Sequence, residues 1–218
     1  MKFVTTPRLI GLLALACLAL VGSLLVDLDV AAAIAKLIAS SAFVGIAINS
    51  GALESPYGRT LLIGLVLSWF GDAFLIGDSR VAFLSGLAAF LLAHVAYIAA
   101  FVTRGVSARW TWIAALPVAA VAISVSAWLA PHVAMDLQVP VRVYTVVISL
   151  MLIAAIGTRG RGASWLILAG AALFFVSDLS VAALRLVQTE FPTYVWGLPI
   201  YYAGQACLAL SASQSRSH

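Results

Sequence analysis

Two aspartates, Asp72 and Asp178, stand inside long apolar runs, in the settings Ser68-Trp69-Phe70-Gly71-Asp72 and Phe174-Phe175-Val176-Ser177-Asp178. A lysine, Lys36, sits inside a third such run. An ionisable side chain surrounded by hydrocarbon carries a heavy desolvation cost, so each of these residues marks a functional-site hypothesis. Two carboxyl groups that share an apolar site tend to hold different protonation states, one a neutral acid and the other a charged base. Such a pair can protonate a leaving group or a reactive carbon while it activates water. A lysine close by favours ionisation of whichever acid it approaches.

Other catalytic patterns are missing. There is no Gly-x-Ser-x-Gly elbow, no His-Glu-x-x-His pair and no multi-histidine cluster, which argues against serine and zinc hydrolases. Only His94 falls inside an apolar run, so haem held between paired histidines is a poor reading. Cys17 and Cys207 both lie in apolar segments without a metal-ligand spacing, and no disulfide between them is expected. The expectation is a site built from protein groups alone, with no metal and no cofactor.

The elements that hold these residues follow from composition. The chain is 64% hydrophobic and 9% charged, with a mean hydropathy of +1.12. A soluble domain of this length cannot hide so much apolar surface. Apolar runs between charges and turn residues give eight segments, near 9–26, 30–48, 60–77, 81–102, 110–130, 140–157, 163–184 and 193–212. The expectation is an all-α, polytopic membrane bundle of eight transmembrane helices, forming a single integral membrane domain over residues 1–218. The first segment reads as a retained helix rather than a cleaved leader.

Eight spans put both termini on one side. That side receives Lys2, Arg8, Arg59, Arg104, Arg109, Arg159, Arg161 and Arg216, against Arg80, Arg142 and Arg185 on the other. The bias places the termini in the cytoplasm and the chain in the cell (inner) membrane. It also explains the net charge of +4 without nucleic acid, since the basic residues are scattered through short loops.

Lys36 lies about six residues into the second span from the outer side, Asp72 a similar distance before Asp78, and Asp178 before Arg185. At about 1.5 Å per residue, all three fall roughly 10 Å below the outer surface, in one polar layer. His94 and Tyr97 share a face of the fourth helix, Tyr201 and Gln205 are one turn apart on the eighth beside Tyr202, and Tyr144 comes from the sixth. Around the acids, Gly64, Ser68, Gly71, Gly170 and Ser177 are small, which lets helices approach closely and leaves space for a cavity. The third–fourth and seventh–eighth hairpins resemble each other, which suggests two parallel four-helix repeats that bring Asp72 and Asp178 together.

Simpler roles stand beside these. Lys36 with either acid also fits a buried ion pair that fixes helix register. A lone core histidine is more often hydrogen-bonded than a ligand, and the four tyrosines also suit packing or an interface belt. Asp78 and Arg80 read as a solvated turn, with Asp78 also placed to line a mouth.

At these same residues the chain resembles the YhhN family of integral membrane proteins, which includes the vertebrate lysoplasmalogenases of the transmembrane protein 86 group. The matching positions run in order through nearly the whole chain: Lys36, Gly71-Asp72, then Phe83, Gly86, Phe90, His94 and Tyr97. Tyr144 with Ser149 and Met151, Phe174 with Ser177 and Asp178, and Tyr201, Tyr202 and Gln205 complete the pattern. The proline that usually follows the family's lysine is Leu37 here. The resemblance implies hydrolysis of the vinyl ether bond of a lysoplasmalogen, to a fatty aldehyde and a glycerophospho-alcohol. Its substrate would be a lysophospholipid drawn from surrounding membrane lipid. On that reading Asp72 and Asp178 are the acid–base pair, and Lys36, Asp78, His94, Tyr97, Tyr144, Tyr201, Tyr202 and Gln205 bind substrate. The alternatives are a small proton-coupled transporter or a lipid-binding membrane protein, for which intramembrane acids, a lysine and a repeat are equally suitable. Pro117 and Pro199 are the only prolines well inside spans and neither adjoins an acid, which favours the enzyme.

Overall fold

The computed structural model describes residues 5–213. Lys2 and Arg216, which contribute to the charge bias above, lie outside the described residues. The described chain is eight α-helices: α1 Thr6–Leu25, α2 Asp29–Asn49, α3 Pro56–Phe74, α4 Arg80–Arg104, α5 Ala108–Leu129, α6 Gln138–Arg159, α7 Trp165–Ala182 and α8 Tyr194–Ser211. A π-helical turn, Ala183–Val187, extends α7. No strand occurs among the described residues.

Helix starts follow from local chemistry. Ser55 caps α3, accepting from the Gly58 amide at 2.9 Å, with Pro56 at the first helical position where no amide hydrogen is needed. Ser79 caps α4 through the Ala82 amide at 3.1 Å, and Ser164 caps α7 through the Leu166 amide at 3.0 Å. The π-turn closes on Gln188, a non-glycine residue at φ 57°.

Six helices are long and apolar enough to cross a membrane: Thr6–Leu25, Asp29–Asn49, Arg80–Arg104, Ala108–His132, Met135–Arg159 and Trp165–Val187. The other two, α3 and α8, are less apolar. The difference has a local cause: α3 carries the exposed Arg59 with the buried Ser68 and Asp72, and α8 the buried Tyr201, Tyr202 and Gln205. Many side chains on the outside of the bundle are apolar, including Leu15 and Leu18 on α1 and Trp112, Leu116 and Ile123 on α5. In water such a surface would aggregate, whereas in lipid it is solvated.

The helices pair as hairpins, α1 with α2, α3 with α4, α5 with α6 and α7 with α8, joined through α2–α3, α2–α8, α4–α6 and α6–α7 contacts. Glycines set the close approaches. A Cβ on Gly64 would lie 2.4 Å from the Tyr97 ring, and one on Gly71 2.6 Å from the Phe90 ring, so α3 and α4 pack aromatic knobs onto bare backbone. Gly170 and Gly204 do the same for α7 and α8. The expectation that Gly64, Gly71 and Gly170 leave space for a cavity is therefore corrected: their space is filled by Tyr97, Phe90 and Leu208. The cavity forms elsewhere.

Candidate active site

A cavity of about 450 Å³ opens among all eight helices, within the usual range of small-molecule sites of about 300–1,000 Å³. Both aspartates line it, as do Lys36, Asp78, Tyr144 and Tyr201. Most of the remaining wall is apolar, for example Leu20 and Leu24 from α1, Phe83 and Leu87 from α4, and Leu129 from α5. Charged residues at the helix ends, Asp29, Asp78 and Arg185, mark its mouth.

Asp72 is buried near the C-terminal end of α3. Its Oδ2 accepts from Ser40 Oγ at 2.6 Å and from the Tyr201 hydroxyl at 2.8 Å. While Tyr201 donates its hydroxyl hydrogen to Asp72, its oxygen accepts from Gln205 Nε2 at 3.1 Å, one helical turn away. The Gln205 Oε1 in turn accepts from Tyr97 at 3.0 Å, and Tyr97 meets Ser68 at 3.1 Å. The amide of Gln205 thus sets the donor direction along the whole string. Tyr202 touches Ser40 and the Lys36 carbonyl, each at 3.4 Å, and packs beside Tyr201.

Asp178 has a simpler setting. Its Oδ2 accepts one bond, from the Tyr144 hydroxyl of α6 at 2.7 Å. Phe174, one turn before it on α7, packs on Tyr201 at 5.2 Å between ring centroids and on His94 at 4.7 Å. The His94 ring continues this contact to Tyr144 at 5.2 Å. A train of aromatic rings therefore links the donors of the two acids and keeps both stations in register.

Of the residues singled out from sequence, His94, Tyr97, Tyr202 and Gln205 stand behind the cavity wall instead of on it. Lys36 is half-buried and makes no ion pair within 4.0 Å with either acid, so the register-fixing ion pair does not form among the described residues. Asp78 and Arg80 are the solvated turn residues the sequence suggested, Asp78 also lining the cavity with its Oδ1 3.6 Å from Arg185 Nη1, and Arg80 pairing with Asp136 of the α5–α6 connection. Cys17 and Cys207 are free thiols.

Sequence reasoning missed Ser40 and Arg185. Ser40 lies one turn beyond Lys36 on the same face of α2, a spacing that could have flagged it. Arg185 reads as a loop cation from sequence, but it lies in the π-turn that extends α7, seven residues after Asp178, and lines the same cavity.

His94 is fully buried and neither ring nitrogen has a hydrogen-bond partner. It therefore serves as a shape that backs Tyr144 and Phe174. His94→Leu is expected to change stability by no more than about 1 kcal/mol, because no hydrogen bond is lost, and to leave turnover within about threefold. A fall in turnover of a hundredfold or more in folded protein would assign the ring a proton-carrying role instead.

A helical bundle with an apolar exterior around an acid-bearing cavity defines an integral membrane protein. The family model of the YhhN family matches residues 30–212. The chain is 32% identical to lysoplasmalogenase TMEM86A of Bos taurus over 170 residues, which is 75% of this chain and 69% of that protein. It is 33% identical to lysoplasmalogenase TMEM86A of Homo sapiens over the same shares, and 33% identical to lysoplasmalogenase TMEM86B of Homo sapiens over 73% of this chain and 66% of that one. No solved structure matches. The chain belongs to the YhhN family.

Proposed function

We propose that this protein is a membrane-embedded hydrolase that cleaves the vinyl ether bond of lysoplasmalogen-type lysophospholipids, with Asp72 and Asp178 as its acid–base pair. The observation that carries the reading is that both carboxyls line one largely apolar cavity, each oriented by a tyrosine hydroxyl. The names of the relatives, lysoplasmalogenases, point to the same reaction.

The hydrogen bonding divides the work. Asp72 meets two hydroxyl donors, an arrangement that suits a carboxylate, whereas Asp178 meets one and is the better proton donor. Asp178 delivers a proton to the outer carbon of the vinyl ether, and the electron pair of the double bond forms the new C–H bond. The resulting oxocarbenium ion is stabilised by the Asp72 carboxylate, which also takes a proton from the attacking water. The hemiacetal then collapses: its hydroxyl proton leaves, the C–O bond to glycerol breaks, and the departing oxygen is protonated. The products are a fatty aldehyde and the glycerophospho-alcohol, with one water consumed. Gln205, Tyr97 and Ser68 hold Tyr201 in its donor orientation, and Lys36 supplies positive charge beside the substrate phosphate.

The same reading includes α3 and α8 as spans, giving eight, because both pack inside a bundle whose other helices are long enough to cross. The single integral domain then has its termini in the cytoplasm of a cell (inner) membrane and its cavity mouth on the opposite face. Two parallel four-helix repeats are supported by matching neighbours: α2–α8 and α4–α6 contacts exchange under the repeat, and α1 and α5 are both peripheral.

Proton delivery to carbon has a direct signature. In deuterium oxide, the aldehyde released from an alkenyl lysophospholipid by the detergent-purified protein is expected to carry one deuterium at the carbon next to the carbonyl, as read by mass spectrometry after rapid trapping. Aldehyde released without that deuterium would overturn the mechanism, and the absence of aldehyde from every vinyl ether lipid would overturn the activity.

A further inference from the structure

Four charged residues around the cavity, two cations and two anions, take no part in the bond-breaking steps themselves. Lys36 and Asp29 lie on one face of α2, roughly 10 Å apart along its axis, and both line the cavity. Asp78 reaches it from the α3–α4 turn and Arg185 from the π-turn after α7. Along the helices the charges stand on two levels: Lys36, Asp72 and Asp178 share the inner one, and Asp29, Asp78 and Arg185 lie six or seven residues further out at the ends of α2, α3 and α7. Burial follows the two levels, with Asp72 buried, Lys36 and Asp178 half-buried, and the Asp78 side chain 94% exposed.

This is not a simple anion site, because acids stand beside each cation. It suits a ligand that carries both charges in a fixed order. We infer that the mouth is a zwitterion clamp, in which Lys36 and Arg185 hold a phosphodiester and Asp29 and Asp78 hold an ammonium group beyond it. The inference rests on the lysophospholipid reading above. The two levels match such a lipid laid into the cavity with its ether at the two acids, its phosphate between Lys36 and Arg185 and its amine outermost at Asp29 and Asp78. The Arg185–Asp78 pair, at 3.6 Å and open to solvent, is held weakly and exchanges its partners for the two charges of the ligand. Arg185 stands seven residues after Asp178, in the π-turn that extends α7, and reaches the cavity outward of that acid.

Binding separates this inference from catalysis. The probes are two saturated alkyl-ether lysophospholipids of equal chain length, which offer no vinyl ether to cleave. One bears phosphocholine and the other a bare phosphate. Their affinities for the full chain in a sugar-based detergent are measured by intrinsic tryptophan fluorescence. Wild type is expected to prefer the phosphocholine probe. Asp29→Asn combined with Asp78→Asn is expected to weaken the phosphocholine probe by about tenfold while sparing the phosphate probe, and Arg185→Gln to weaken both by a similar factor. These side chains are at the surface, so the variants are expected to fold, and Arg185→Gln carries the cation arm even if Lys36→Gln does not. An unchanged preference in the double variant, or unchanged affinities in Arg185→Gln, would overturn the clamp. Headgroup preference without aldehyde release from vinyl ether lipids would instead sink the hydrolase reading and leave the clamp standing.

Discussion

Aldehyde release is expected to fall by about 10³-fold in Asp72→Asn and in Asp178→Asn, with both variants still folded. General acid–base groups contribute about 10²–10⁴-fold each, and these two carboxyls are the only acids placed deep in the cavity. Asparagine keeps the size of the side chain and a carbonyl oxygen, so Ser40 and Tyr201 retain an acceptor at position 72, and Tyr144 retains one at position 178. The loss is therefore chemical and not structural. Residues that act as one unit are not additive, so the double variant is expected to be little worse than either single one. Single-turnover aldehyde formation alongside a melting curve makes the comparison. Either variant turning over within threefold of wild type would remove its aspartate from the mechanism.

The second large effect lies in the packing. Gly170→Leu is expected to abolish recovery of folded protein, or to lower its melting temperature severely. A Cβ at this position would lie 2.6 Å from Leu208 Cγ and 2.9 Å from the Gly204 carbonyl oxygen, and a backbone carbonyl in a helix has little room to yield. Overpacking of this kind costs about 1–3 kcal/mol, and more where backbone must move. The same helix pair holds Asp178 and Tyr201, so separating α7 from α8 also separates the two acid stations. Gly22→Ala provides the contrast, since nothing lies within 4 Å of a Cβ there. Size-exclusion profiles after heating in detergent read both. A Gly170→Leu protein that melts with the wild type would show that α7 and α8 are not locked through this contact.

The parts of the site that could be read from sequence are those where cost is visible. Asp72 and Asp178 stand out because a charge in an apolar run is anomalous, and helical rise places Lys36 near their depth. Both acids do face one cavity. Tyr201 and Gln205 are legible as a pair because they lie one turn apart. The direction of their hydrogen bonds is not, since it depends on Tyr97 arriving from α4. Arg185 was passed over because it falls at the expected end of a span, where a basic residue reads as a topology charge, although its seven-residue spacing from Asp178 places both on one helix face. The small residues around the acids were read correctly as sites of close approach and wrongly as sources of space, because periodicity does not say which ring from the next helix will fill a glycine. Six of the eight expected spans are long and apolar enough on their own; α3, with Arg59 and Asp72, and α8, with Tyr201, Tyr202 and Gln205, fall short.

That shortfall bears on how the protein is made. A helix enters the bilayer from the translocation machinery according to its own hydrophobicity, and buried polar groups count against it until partners arrive. Here α3 and α8 each pack along a strongly apolar neighbour, α4 and α7 respectively, and each is best inserted as a hairpin with that neighbour. The hydroxyls of Ser40 and Tyr201 reach Asp72 from α2 and α8, which lie far apart in the chain. Until α8 is in place, Asp72 lacks one of its two donors and the cavity lacks a wall. A nascent chain arrested before that helix would carry both aspartates without Tyr201, so on the proposed mechanism activity is expected only once α8 has joined the bundle.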